Sequence, residues 1–231
     1  MSAKPTARTS YDQIRSIQLV DFLDIPTERT FEASELWKDK PVIIVVIRRP
    51  GCQFCREEAT ALSSHRDIIE STMGMRMVCI VREKLGADLF QSEAWKRQVY
   101  FDPEGAFYKA LGGHNKLRVA RWETLIKPSF WKHFVRNKRS GIGGNFVGDG
   151  SVLGGLLIVD NKNNGSIFYE YEEKVWGDIA PVEEVLQAAS QLTGVPVSPE
   201  DIKKAQDQSK AHKDKVESGA TCDLVPPQET K

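Results

Sequence analysis

Two cysteines separated by two residues, Cys52 and Cys55, are the side chains of this sequence best suited to chemistry. They stand in the stretch "RRPGCQFCREE" (48–58), with arginines on both sides. At the start of a helix, spacing of i,i+3 brings two Cα atoms to ~5–6 Å, which is close enough for a disulfide. The pair therefore suits dithiol–disulfide chemistry, half of a zinc site, or two small core residues.

The elements around the pair favour redox chemistry. The apolar run 42–47 predicts a strand buried on both faces, Pro50-Gly51 ends it, and a helical period follows from Cys52 to about residue 71. Cys52 then lies at the helix N-cap, where unpaired N–H groups and the helix dipole favour a thiolate. Thiols so placed have pKa values of ~3.5 to 7.5. We expect Cys52, exposed by the Pro-Gly turn, to attack, and Cys55 to resolve the product.

Positive charge surrounds the dithiol in the sequence. We predict that three arginines stabilise the Cys52 thiolate: Arg48, Arg49 and Arg56. The two glutamates that follow Arg56 suit the helix dipole but compete for the same field. The net effect predicted is a lowered pKa of Cys52.

The remaining cysteines give little support to a metal site. Zinc needs four ligands, and the chain offers no second CxxC and only four scattered histidines. Cys79, in "MVCIV", is expected to be a core residue, and Cys222 a bystander thiol in a polar tail. We predict no metal and no bound cofactor.

The order of elements predicts the α/β fold class, with a thioredoxin-like fold. A strand, a helix and a strand within about forty residues form a βαβ unit. The other predicted elements are a helix at 86–98, a strand at 99–102, a helix at 103–111 capped by Asp102, a hairpin of strands at 154–160 and 166–173, and a helix at 180–194. A βαβ unit followed by ββα is the thioredoxin arrangement, and the additional elements are those of a peroxiredoxin-type N-terminal extension and an insertion.

A basic and aromatic insertion interrupts this order. Residues 114–139 hold eight Lys/Arg and one acid, with Trp122 and Trp131 among their aromatics. Such a segment can be a flap that packs its aromatic rings on the core. It can also bind anionic lipid weakly, or wall a site for an amphipathic substrate, with Trp122 and Trp131 as the wall.

Bulk properties limit the class of protein. The chain has 231 residues with 32 Lys+Arg against 32 Asp+Glu, which gives no field for nucleic acid. No apolar run reaches the ~20 residues that cross a bilayer. We predict a flexible N-terminus (1–16), one domain (17–195, with an insertion at 114–150) and a polar C-terminal tail (196–231). The expected location is cytoplasmic, and a short organellar transit peptide is the alternative for residues 1–10.

Several stretches together resemble a known family. "RRPGCQFCREEA", "FDPEGAFYKALG", "GGNFVGDGSVLGGLLIV" and "EEKVWGDIAPVEEVLQAA" are similar in order and spacing to the peroxiredoxin-like 2 proteins. These are thioredoxin-fold relatives of the alkyl hydroperoxide reductase/thiol-specific antioxidant group. Two features depart from wider patterns: Arg49 stands where peroxiredoxins have Thr, and "VLGG" stands where thioredoxins have a cis-proline.

The resemblance implies redox regulation and antioxidant activity through the CxxC pair. The first hypothesis is a monomeric thiol oxidoreductase that reduces peroxide or disulfide bonds, with thioredoxin/NADPH or glutathione as external reductant. A second is a lipid endoperoxide reductase like the prostamide/prostaglandin F synthase branch of the family. A third is a non-catalytic, redox-sensing regulatory module.

Overall fold

The computed structural model describes residues 7–23, 28–119, 148–162, 165–175 and 178–207. Its strands are β1 (Gln18–Asp21), β2 (Arg29–Glu32), β3 (Val42–Val46), β4 (Arg76–Val81), β5 (Val99–Phe101), β6 (Gly155–Asp160) and β7 (Ser166–Glu172). They form one sheet in the order β2-β1-β5-β4-β3-β6-β7. The predicted hairpin and βαβ strands are all present.

The helices lie on both sides of this sheet. They are α1 (Tyr11–Arg15), α2 (Gln53–Ser63), α3 (Ala87–Leu89), α4 (Ala106–Ala110) and α5 (Val182–Thr193). Shorter turns are π-helical at Asp67–Thr72 and Phe90–Trp95, and 3₁₀ at Ala33–Trp37 and Leu111–Gly113. Within the described ranges, no helix is long and apolar enough to span a membrane.

Strand β3 leads into the segment that carries Cys52 and Cys55. It runs parallel to β4 and antiparallel to β6, and all five of its residues are buried. Its odd-numbered side chains pack under α2 and α5, and its even-numbered side chains pack under α1 and α4. A strand buried on both faces has to be continuously apolar, which explains the run "VIIVV". The parallel β3/β4 pair confirms the predicted βαβ unit.

The described parts of the two predicted terminal segments, 1–16 and 196–231, contain helices that contact the core. Helix α1 falls within the segment predicted to be flexible, and its Ile14 is fully buried. The Thr9 hydroxyl donates to the carbonyl of Ala110 at 3.1 Å. At the other end, residues 199–207 are helical, Ala205 is buried and Ile202 packs against the core. Single apolar residues in these polar stretches therefore contact the core outside the predicted domain bounds of 17 and 195.

Two helices differ from their predicted bounds of 86–98 and 103–111. The 103–111 helix begins at Ala106, and the Asp102 carboxylate accepts from the N–H groups of Ala106 at 3.0 Å and Phe107 at 2.8 Å. Asp102 thus caps the helix from three residues further back than predicted, because Gly105 (φ 60°) turns the chain first. The 86–98 helix is one turn of α3 followed by the Phe90–Trp95 π-helix.

Candidate active site

Cys52 is the N-cap residue of α2, as predicted. Its backbone is extended (φ −72°, ψ 122°), and its Sγ accepts a hydrogen bond from the Cys55 N–H at 3.4 Å. Both thiols are free. The prediction that Cys52 is exposed was wrong: Cys52 is 3% exposed and Cys55 4%. The cause is that both side chains belong to the apolar cluster under α2 rather than to the outer surface.

Arg48 bridges the dithiol to a buried carboxylate. Its Nη2 donates to the Cys52 Sγ at 3.1 Å, and its Nε lies 2.9 Å from Oε1 of Glu173. The guanidinium carbon lies 5.6 Å from the centroid of the Phe54 ring. The Arg48 and Glu173 side chains are only 5% and 10% exposed, so water screens their charges little. The planar, multi-donor guanidinium suits this double contact better than an ammonium group does.

These contacts separate the two thiols chemically. Burial alone raises the pKa of Cys52, but the Cys55 thiol hydrogen bond, the Arg48 charge and the Cys55 N–H outweigh it and lower the pKa to about 5. The pKa of Cys55 lies well above its ordinary value, because the group is buried and its thiol hydrogen-bonds to the Cys52 anion. The arrangement at neutral pH is one thiolate beside one thiol.

The other two predicted arginines behave differently from each other. The Arg49 charge contributes to the lowered pKa of Cys52, and its carbonyl accepts the Cys52 N–H at 3.1 Å. The Arg56 guanidinium donates instead to the carboxylate of Glu93 on the Phe90–Trp95 π-helix. Arg56 is thus paired with Glu93, and its charge is not among the causes that lower the pKa of Cys52.

Two glutamates near the dithiol are buried, which the sequence did not predict: Glu58 was expected only to act on the helix field, and Glu173 was not singled out. Glu173 directly follows β7, and its Oε2 accepts from the Gly154 N–H at 2.9 Å. Glu58 lies on α2, and its Oε1 accepts from the Ala180 N–H at 3.3 Å. Burial is the main cause that raises both pKa values, to about 8 for Glu58 and about 7 for Glu173. The mutual repulsion of the two carboxylates adds to the raised pKa of Glu58.

Two contacts fix the end of β3. The Tyr108 hydroxyl, on α4, donates to the carbonyl of Ile47 at 2.5 Å. The chain before the neighbouring strand β6 approaches so closely that a Cβ on Gly154 would lie 1.9 Å from the carbonyl oxygen of Val46. Arg48 follows directly after these anchored residues, so its position is set by the sheet. No peptide bond in the described ranges is cis.

The remaining residues singled out in the sequence are two tryptophans and two cysteines. Trp122, Trp131 and Cys222 lie outside the described residues. Cys79 is fully buried in β4, as expected of a core residue, and its pKa lies well above the usual value because of burial. Among the described residues, no group of three or more His, Cys, Asp and Glu is arranged to hold a metal ion.

A CxxC pair at the junction of a central strand and a helix, in a mixed sheet of this order, defines a thioredoxin-like fold of the peroxiredoxin type. Two solved structures from Xanthomonas campestris share it. Peroxiredoxin Q has a TM-score of 0.51 at 10% identity, with 78% of this chain and 93% of that chain covered. The bacterioferritin comigratory protein has a TM-score of 0.52 at 11% identity, with 79% and 94% covered. At such identities the likeness shows the fold alone.

Sequence comparison identifies the family. The family model described as AhpC/TSA antioxidant enzyme matches residues 61–175, downstream of the cysteine pair. Peroxiredoxin-like 2A of Xenopus tropicalis is 31% identical over 188 residues, which cover 81% of this chain and 79% of the relative. The Gallus gallus protein is 34% identical over 71% of this chain and 70% of its own. The human protein is 30% identical, with 79% of each covered.

The chain therefore belongs to the peroxiredoxin-like 2 family, as its motifs predicted. Membership supports a redox or antioxidant type of function in general terms.

Proposed function

We propose that this protein is a thiol oxidoreductase that reduces peroxide or disulfide bonds through Cys52 and Cys55. The observation that carries the proposal is the hydrogen bond of 3.1 Å from Arg48 Nη2 to the Cys52 Sγ at the α2 N-cap. A buried guanidinium aimed at a thiol stabilises the thiolate, which is the reactive form. The neutral Cys55 one turn further on suits the second step.

The proposed reaction has two stages. The Cys52 thiolate attacks the outer oxygen of a hydroperoxide, the O–O bond breaks, and a Cys52 sulfenic acid and an alkoxide form. The Cys55 thiol then attacks the sulfenic sulfur, its hydrogen leaves with the hydroxyl as water, and the Cys52–Cys55 disulfide forms. With a disulfide substrate, the first product is a mixed disulfide instead.

A dithiol reductant closes the proposed cycle. Thioredoxin/NADPH or glutathione attacks the disulfide, and two electrons restore the thiolate and the thiol. No bound cofactor is needed, because both electrons come from the external thiols. We propose a cytoplasmic protein on these grounds, since a free dithiol persists where glutathione and thioredoxin keep thiols reduced.

The test follows oxidation at each cysteine. Reduced wild type, Cys52→Ser and Cys55→Ser are mixed with hydrogen peroxide or an organic hydroperoxide in stopped flow and analysed by mass spectrometry. We expect a Cys52–Cys55 disulfide in wild type, a trappable Cys52 sulfenic acid in Cys55→Ser, and little reaction in Cys52→Ser. Cys79→Ser is the control and should react as wild type does. Oxidation of Cys79 in Cys55→Ser while Cys52 stays unmodified would show that the roles are wrong.

The same material separates the two alternatives. A wild type that forms the disulfide but is turned over by neither thioredoxin nor glutathione would favour a redox-sensing module. Turnover of a lipid endoperoxide that disappears in a Trp122/Trp131 double alanine variant would favour an endoperoxide reductase with the predicted aromatic wall. The order of reaction with peroxide, alkyl hydroperoxide and endoperoxide then identifies the substrate class.

A further inference from the structure

Reduction of a peroxide by a thiolate and a thiol leaves the reaction one proton short. The thiolate, the thiol and the hydroperoxide together carry two transferable hydrogens, whereas the products, an alcohol and water, need three. The missing proton has to reach the alkoxide oxygen. The disulfide is also uncharged, so a buried negative charge disappears from beside Arg48 when Cys52 is oxidised.

Two buried carboxyl groups lie close enough to respond to that loss. Glu58 follows Cys55 by three residues on α2, which places the two side chains on one face of the helix, ~5–6 Å apart at Cβ. Glu173 shares Arg48 with Cys52. Both carboxyl groups sense the charge on Cys52, which disfavours their ionised forms.

The partners of the two glutamates differ. Glu173 lies 2.9 Å from the charged Arg48 through one oxygen, and with the other it accepts from the Gly154 N–H, also at 2.9 Å. Among the described residues, Glu58 accepts one longer hydrogen bond, 3.3 Å from the Ala180 N–H. An ionised carboxylate is the form that a guanidinium and a short N–H bond stabilise. Glu173 is therefore the ionised member of the pair and Glu58 the protonated one.

We propose that Glu58 holds one proton while Cys52 is a thiolate and gives it up when the Cys52–Cys55 disulfide forms, so that the buried negative charge passes from Cys52 to Glu58. This rests on the proposed dithiol function. The balance is Cys52–S⁻, Cys55–SH, Glu58–COOH and ROOH going to the disulfide, Glu58–COO⁻, ROH and water. Reduction by an external dithiol reverses it: one hydrogen returns to Cys55 and the other to Glu58.

The surroundings of Glu58 agree with this exchange. The groups that face it electrostatically are Arg48 after β3, Cys52 at the α2 N-cap, Cys79 on β4, Tyr169 and Tyr171 on β7, and Glu173 after β7. Arg48 is the cation of this set, and in the reduced protein it is shared between two anions, Cys52 and Glu173. Removing the Cys52 charge leaves Arg48 with Glu173 alone, which makes a second ionised carboxylate nearby less unfavourable.

The proposal is tested by the pH dependence of the Cys52–Cys55 midpoint potential. Each proton released on oxidation changes the equilibrium constant tenfold per pH unit, or ~30 mV for a two-electron couple. Near pH 7, below the Glu58 pKa of about 8, Glu58 in the reduced protein is mostly protonated, so wild type should release close to two protons and change by up to ~60 mV per pH unit. Glu58→Gln should release one and change by ~30 mV. Glu57→Gln, the matched control on α2, should keep the wild-type slope.

Infrared difference spectra provide a readout that a structural role would not move. Oxidation of wild type should remove a protonated-carboxyl C=O band, and Glu58→Gln should lack that band. A wild-type slope of one proton, or a two-proton slope that survives in Glu58→Gln but is lost in Glu173→Gln, would overturn the assignment to Glu58 while leaving the dithiol function intact. A wild type that forms no Cys52–Cys55 disulfide would overturn both.

Discussion

Arg48 reaches Cys52 through the far end of its guanidinium, with Nη2 3.1 Å from Sγ, while Nε of the same group lies 2.9 Å from Glu173. One buried cation thus serves two anions that come from distant parts of the chain. Cys52 is close to Arg48 in sequence, whereas Glu173 is distant in sequence and is brought to Arg48 by the sheet. The reactivity of the thiol is therefore a property of the tertiary structure and not of the CxxC motif alone.

The first prediction concerns the source of the lowered pKa of Cys52. Arg48→Met removes the charge and the hydrogen bond, so the pKa should rise by at least ~1, a loss of ~1.4 kcal/mol of thiolate stabilisation. The ultraviolet absorbance of the thiolate, titrated with pH, measures it. Arg56→Met is the control, because Arg56 pairs with Glu93. Equal changes in the two variants would mean that general positive charge, and not the Arg48 contact, sets the pKa.

The second prediction concerns stability. Arg48→Met leaves Glu173 buried without its cation and should lower the free energy of unfolding by ~3–5 kcal/mol. The double variant Arg48→Met/Glu173→Gln also removes the carboxylate charge and should recover most of the part of the loss that comes from Glu173. Urea unfolding of the reduced proteins measures both. If the double variant were as unstable as Arg48→Met, packing against Phe54 would be the main contribution of Arg48, and not its ion pair.

Sequence reasoning located the nucleophile and its cationic neighbours Arg48 and Arg49, but not the burial of the glutamates around them. The strand, the turn and the helix N-cap around Cys52 follow from local signals, namely an apolar run, Pro50-Gly51 and a change of period. Glu58 and Glu173 gave no such signal, since isolated glutamates are mostly exposed. One sign was available: β7 alternates aromatic and acidic residues over 169–172, and a period of two places Glu173 on the same face as the buried Tyr169.

The exposure of Cys52 was mispredicted for a related reason. A thiol at a helix N-cap after Pro-Gly is accessible if nothing covers the turn, and local sequence cannot show what covers it. Here the Arg48 guanidinium contacts the sulfur, and Phe54 and Glu173 contact that guanidinium in turn. Local sequence also cannot show which arginine contacts the thiol. Arg56 pairs with Glu93, which lies on the Phe90–Trp95 π-helix, distant in sequence.

The third prediction is the pH profile of alkylation. Iodoacetamide reacts with thiolates, so modification of Cys52 should be half-maximal near pH 5. Cys79, buried with a raised pKa, should stay unmodified in the folded protein and serves as the internal control. Peptide mapping by mass spectrometry distinguishes the two. A midpoint near that of a free cysteine, ~8.5, would show that Arg48 and the helix do not outweigh burial.

The fourth prediction follows from the raised pKa of Glu58, about 8 when folded against an ordinary 4.5. Below pH 4.5 both folded and unfolded chains hold the proton. Between these values only the folded chain does, so the contribution of Glu58 to the free energy of unfolding falls by ~1.4 kcal/mol for each pH unit and is constant above pH 8. Glu58→Gln should remove this fall. It should therefore be more stable than wild type at pH 9 in urea unfolding, with a smaller difference at pH 5.

The stability measurement on Glu58→Gln has a matched control variant. Glu57→Gln changes the neighbouring residue of α2 in the same way and should keep the wild-type pH dependence. A Glu58→Gln variant with the same pH dependence of stability as wild type would place the titrating group elsewhere, and Glu173, with a folded pKa of about 7, is the next group to vary.

The last prediction links the sheet to the site through Gly154. A Cβ there would lie 1.9 Å from the carbonyl oxygen of Val46, so Gly154→Ala must push the start of β6 away from β3. We expect a loss of ~1–3 kcal/mol in the free energy of unfolding. Because the Gly154 N–H also holds Glu173, the same displacement should loosen Arg48 and raise the pKa of Cys52. Gly194→Ala is the control: its Cβ would meet nothing within 4 Å, and it should lose only the ~1 kcal/mol of a left-handed backbone, with an unchanged thiol titration. If Gly154→Ala were destabilised with its thiol titration unchanged, Arg48 would be positioned by the end of β3 alone.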